Sequence, residues 1–131
     1  MYQEECVVLR VPLKPAYARV VRMAAANVAS IAGFSVEDVD DIRMAAEEAF
    51  IYASATEINN EIMHTVQLKL TGEGMWFEID LGMQDAQDAG EDAPWFYSEL
   101  IMKSMCDECI LGTKGQTLRL FKRLEQPHAL G

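Results

Sequence analysis

The sequence predicts an α+β domain: a two-layer sandwich with a mixed, mostly antiparallel sheet and helices on one face. Three observations carry this. Segments of alternating hydrophobicity come in pairs joined by short turns, as antiparallel hairpins do. Between them lie segments with apolar residues every three or four positions, the spacing of helices packed along one stripe. The order is strand, two helices, two strands, helix, two strands, with no repeat or linker. The 131 residues therefore make one domain, 1–131, long enough to bury a core unaided.

Each element has a local reason. "ECVVLRVPL" is β-rich and ends near Pro12, and Pro15 opens a helix because its missing N–H is an orphan there anyway. Val20, Val21, Ala24, Val28 and Ile31 give that helix its predicted core stripe, and Gly33 its C-terminal cap. Ser35 caps a second helix, with Glu37 and Asp38 at the positive end of its dipole. Its core face is predicted as Val39, Ile42, Ala46, Ala49, Phe50 and Ala53.

"MHTVQLKLT" and "MWFEIDL" alternate Val66, Leu68, Leu70 and Phe77, Ile79, Leu81 against more polar partners, with "TGEG" as the turn. The acidic stretch "GMQDAQDAGEDAP" is predicted as a long loop, a kind that is usually functional or mobile. "WFYSELIMKSMCDE" returns to helical spacing, with Phe96, Leu100, Ile101, Ser104 and Met105 on one side. "CILGT" and "QTLRLFKRL" close the chain as a hairpin around Gly115, and "EQPHALG" is a tail.

Composition narrows the function. Half the residues are hydrophobic and 24% are charged, which is ordinary for a folded domain. A net charge of −10 opposes direct binding to nucleic acid, which requires clustered Lys and Arg. No apolar run is long enough to span a bilayer, and the start "MYQEECVVLR" is acidic where a signal peptide would be basic. The expected location is the cytoplasm, with no membrane partner.

Cys6, Cys106 and Cys109 make no disulfide framework. "CDEC" has the spacing of a redox or zinc half-site, but only Cys6, His64 and His128, scattered along the chain, could complete it. Structural cysteines are the favoured reading. A metal or redox protein using Cys106 and Cys109 is an alternative.

The helix "DIRMAAEEAFIYAS" poses the functional question. Adjacent glutamates, Glu47 and Glu48, sit in its middle, and Tyr52 follows Glu48 by one turn. Paired glutamates are usually a solvated helix edge.

"PLKPAYARVVRMAAANVASIAGFSVEDVDDIRMAAEEAF" resembles the opening half of the bacterial anti-sigma-factor serine kinases, small regulators with the histidine-kinase-type (Bergerat) ATP-binding fold. The likeness continues through "FEIDLG" and "LIMKSMCDECIL…GQTLRLFKRL", covering nearly all the chain. The resemblance implies ATP and magnesium as cofactors. Glu48 matches the family's general base, while the magnesium-holding asparagine four residues on is replaced here by Tyr52. A neutral phenol is a poor ligand for a small, hard cation that demands compact oxygen donors, and phosphoryl transfer relies on that metal. Asp80 and Gly82 match the Asp-x-Gly that reads adenine, and are equally ordinary turn residues.

The glycine-rich phosphate loop is reduced to Gly90 among Asp88, Glu91 and Asp92, followed by Pro94, Trp95, Phe96 and Tyr97. Carboxylates repel phosphate, and close backbone approach needs glycine. The resemblance thus implies an anti-sigma-like regulator acting by partner switching, with ATP binding and kinase activity weakened or lost. Glu48, Tyr52, Asp80 and Gly82 would line the altered nucleotide site, with Tyr52 as its plug and Glu47 turned to water. The implied partners are a sigma factor or an anti-anti-sigma antagonist, with a homodimer or a heterodimer with a paralogue. Arg19, Arg22 and Asn27 are candidate contacts on the first helix. The rival is an active Mg·ATP-dependent serine kinase, with Glu48 as base and Asp80 reading adenine.

Overall fold

A computed structural model describes residues 4–55, 63–82, 94–112 and 116–125. Strand β1 is Glu5–Pro12, and a single 3-10 turn, Pro15–Tyr17, leads into α1, Ala18–Ala32. Helix α2 is Val36–Ser54, strands β2 and β3 are Met63–Leu70 and Gly74–Asp80, and α3 is Pro94–Met105. Strands β4, Glu108–Ile110, and β5, Thr117–Arg123, complete the fold. The five strands form one sheet in the order β1-β2-β3-β5-β4, and each of the four pairings is antiparallel. The sheet thus has no parallel part among the described residues. The loop carrying Gly90 and its acids, Gly115 and the tail lie outside those residues, as does the side chain of Trp95.

Local chemistry sets the element ends. Gly33 adopts φ +96°, a left-handed conformation that glycine reaches without steric penalty, and Phe34 N–H returns to the Ala29 carbonyl at 3.2 Å. The Ser35 hydroxyl accepts the Asp38 N–H at 3.1 Å, capping α2. In the β2–β3 turn the Thr71 hydroxyl accepts from the N–H groups of Glu73 and Gly74 at 3.1 and 3.2 Å. Gly74 is required by crowding: a Cβ there would stand 2.1 Å from the Lys122 carbonyl of the neighbouring strand.

The core lies between the helices and one face of the sheet. Val66, Leu68, Phe77, Ile79, Leu118 and Leu120 project from the strands toward Ile42, Ala46, Ala49 and Phe50 of α2. Helices α1 and α2 meet through small side chains: Ala25 and Ala29 on one, Ala45, Ala46, Ala49 and Ala53 on the other are all buried. This close seam rotates α1 relative to the predicted stripe. Val21 and Val28 are inside as expected, whereas Val20 is exposed and Ile31 is 78% exposed. Helix α3 also differs, burying Ser98 and Met102 while leaving Leu100 and Ser104 exposed.

Candidate functional site

The geometry centres on the middle of α2. Its buried side chains face the sheet and α1, and Glu47 and Glu48, about 100° apart around the helix axis, leave toward opposite neighbours. Glu47 accepts from Arg22 of α1 at 2.8 Å. It is partly covered by that pair rather than turned freely to water. Glu48 is reached from the other side, where the Ser98 hydroxyl of α3 donates to its Oε1 at 2.8 Å.

Tyr52, one turn beyond Glu48, is partly buried against the core cluster. The phenol is near Lys103 of α3: that ammonium is held above its ordinary value mainly by its hydrogen bond to Glu99, with a minor contribution from Tyr52. Glu48 and Tyr52 are therefore both on the part of α2 that meets α3.

Asp80 and Gly82 lie elsewhere. Along β3, Phe77, Ile79 and Leu81 are buried toward the helices, so Asp80 alternates to the other side with Trp76 and Glu78. Its carboxylate, 47% exposed, bridges to β2, accepting from the Thr65 N–H at 2.8 Å and lying 3.3 Å from His64 Nδ1. It lines a shallow polar pocket with Thr65, Gln67, Glu78 and Thr117. Gly82 is buried just after β3, next to Leu81, whose N–H donates to the Gln116 carbonyl at 2.7 Å. The chain thus brings Glu48 and Tyr52 together, and sets Asp80 on the far face of the sheet.

That far face holds a separate charged cluster. Glu78 is gripped by Lys69 at 3.0 Å and Arg119 at 2.9 Å. Burial pushes its carboxyl up, but those two cations outweigh burial and hold it below the ordinary value. Arg119 stacks 4.2 Å above Trp76, which also meets Phe121 at 4.9 Å. Trp76 therefore belongs to the open sheet face and does not join Phe96 and Tyr97, which pack edge to face on α3 at 5.6 Å.

Two polar residues escaped sequence reasoning. Ser98 is 1% exposed. Lys122, whose side chain is 15% exposed, donates to Asp41 at 3.1 Å and to the Met105 carbonyl at 2.7 Å, with Asp38 at 3.7 Å. Both were readable: Lys122 continues the inward alternation of Leu118 and Leu120, and Ser98 shares helical spacing with Met102 and Met105. Cys106 beside Lys122 is partly buried, and burial pushes its thiol up to about 12, while Cys109 is raised too, again chiefly by burial. Protonated thiols are poor nucleophiles and poor metal ligands.

A magnesium nucleotide fits these residues badly. Tyr52 stands beside Glu48, one Glu48 oxygen is engaged by Ser98, and Asp80 is engaged by β2. Among the described residues no three His, Cys, Asp or Glu side chains gather to hold a metal. None of the described helices is long and apolar enough to cross a membrane.

No family model matches the chain. Over 100 residues it is 29% identical to the serine-protein kinase RsbW of Listeria monocytogenes serovar 1/2a, covering 66% of this chain and 64% of that protein. The RsbW of Listeria innocua serovar 6a is 28% identical over the same shares. The matched part thus spans a little under two thirds of these relatives. The crystal structure of the RsbU and RsbW domains of Rv1364c from Mycobacterium tuberculosis superposes with a TM-score of 0.73 at 16% identity, over 94% of this chain and 33% of that one. The chain is thus similar in sequence to the RsbW serine-protein kinases over about two thirds of its length, and it has the histidine-kinase-like ATPase fold.

Proposed function

We propose that the chain is a partner-switching regulator that works by binding other proteins, with nucleotide binding and kinase activity weakened or lost. One observation carries this: Ser98 engages the Glu48 carboxylate while Tyr52 stands where a metal-holding amide is expected. The partner is a sigma factor or its anti-anti-sigma antagonist, and the protein pairs with itself or a paralogue.

The outer face of α1 supports a binding role. Val20, Met23 and Ile31 are exposed along it. A pocket of about 460 Å³ at its start is lined by Pro15, Ala16, Ala18, Arg19, Arg22 and Glu47. Helix α1 carries two arginines and no acid in a chain of net charge −10, so it offers cationic and apolar contacts together. Of the first-helix candidates, Arg19 and Asn27 are exposed, and Arg22 is half-buried in its ion pair.

Two measurements test the reading. Purified sigma factor and antagonist are titrated against the protein, and Arg19→Glu weakens binding at least tenfold; no binding to either class of partner removes the proposal. Melting with millimolar Mg·ATP gives no shift, whereas nucleotide at a hundredfold its Kd would stabilise by about 2.7 kcal/mol, several degrees for this size. What supports the kinase rival is the presence of Glu48 at the position that matches the family's general base. Transfer of labelled phosphate to an antagonist serine, lost in Glu48→Gln, would establish that rival.

A further inference from the structure

Helix serines usually bond back to their own turn, and two here do so: Ser54 donates to the Ile51 carbonyl at 2.8 Å and Ser104 to that of Ile101 at 2.9 Å. Ser98 reaches across to α2, where its hydroxyl donates to Glu48. Its setting gives that bond weight. Between Phe96 and Ile101 Ser98 is the one buried residue, while Tyr97 and Leu100 are exposed. The deep apolar anchor, Met102, comes only a turn later. Among the described side chains from Phe96 to Ile101, the deepest contact is therefore a polar one. An apolar anchor cannot be exchanged for a hydrophilic ligand, whereas a hydroxyl on a carboxylate can be displaced by any competing donor.

We propose that Ser98 is a latch: its hydroxyl holds the first half of α3 against α2 by occupying the Glu48 carboxylate, and a ligand reaching that carboxylate does so in competition with Ser98. The contact is an ordinary hydroxyl–carboxylate hydrogen bond at 2.8 Å, of the same kind that an incoming serine would make with a base. The latch follows from the contact itself. The competition rests on the reading of Glu48 as a former base.

Hydrogen exchange on the full 131-residue chain tests the latch. Ser98→Ala should speed exchange of the α3 amides at least tenfold and leave α1 and the central strands unchanged. Glu48→Gln should act in the same direction, and the double variant should be no faster than the faster single one. Unchanged α3 exchange, additive effects in the double variant, or uniform loosening of the chain would each overturn the latch.

The competition is tested with a fluorescent ATP analogue and Mg²⁺ in the Tyr52→Asn background, with and without Ser98→Ala. At least tenfold tighter binding without the hydroxyl supports it. Equal affinities overturn it, and so does binding to neither variant, in which case exchange alone still decides the latch.

Discussion

The two halves of α2 hold their polar groups differently. In the first, Asp38 and Asp41 share the Lys122 ammonium, which also reaches the Met105 carbonyl at the end of α3, so that α2, α3 and β5 meet in one charged knot. In the second, Glu48 meets the neutral hydroxyl of Ser98, and Tyr52 lies alongside. A lysine near the core with several acceptors drawn from separate elements is fixed, because releasing it strands more than one group at once. A carboxylate held by one neutral donor is exchangeable. The first half is built for stability, and the second is where the proposed regulation would act.

The largest expected effect breaks the first half. Lys122→Ala leaves Asp41 and the Met105 carbonyl without their donor, and we expect a loss of about 3 kcal/mol, read as a melting point lower by about 10 °C. The pH dependence has a definite sign. Burial pushes the Lys122 amine down, but its hydrogen bond to Asp41 and the charges of Asp41, Asp38 and Asp107 outweigh burial and raise it above the ordinary 10.5. A raised folded-state value means that its contribution is complete below the unfolded value of 10.5 and is lost as pH climbs through the higher folded one. Melting curves from neutral pH to about 10 should therefore leave the gap between wild type and Lys122→Ala unchanged. A gap that closes by pH 8 would deny Lys122 the role of knot.

A smaller effect is expected in the second half. Tyr52→Asn removes a partly buried ring and should cost about 1 kcal/mol in urea unfolding. It also restores the amide expected at this position, so the variant should gain a melting shift with Mg·ATP that the wild type lacks. Lost stability with no nucleotide response would make Tyr52 a flank of the core rather than a plug.

The fold was legible because alternation in Val66, Leu68, Leu70, Phe77 and Ile79 is strict, and because Gly33 and Ser35 mark a helix end and a helix start. The inner face of α1 was misread for a physical reason: large apolar residues such as Val20 and Ile31 dominate a hydrophobic count, yet the helix packs through Ala25 and Ala29, whose small size lets α2 come close. Asp80 ends β3 as a nucleotide-reading aspartate would, but Phe77 and Ile79 on either side of Glu78 fix the inward parity, and Leu81 takes the next inward position. The motif spacing was visible, and its handedness with respect to the sheet required the strand alternation to be applied. Lys122 and Ser98 were missed because a lone lysine in a strand and a lone serine in a helix read as surface residues until their faces are assigned.

The smallest effect sharpens the contrast between the adjacent glutamates. The Arg22–Glu47 pair is 2.8 Å long, with side chains 30% and 34% exposed, so solvent and salt screen it. Glu47→Ala or Arg22→Ala should each cost only about 0.5 kcal/mol, the double variant should cost no more than the larger single one, and the difference from wild type should fade in about 1 M salt. Glu48→Gln should instead keep its effect in high salt, because its contact is to a buried neutral hydroxyl rather than a half-exposed cation. Two neighbouring residues of one type would then separate by salt response alone. If both variants responded to salt alike, Glu48 would be one more solvated edge of α2, and the distinction between the halves would shrink to the Lys122 knot.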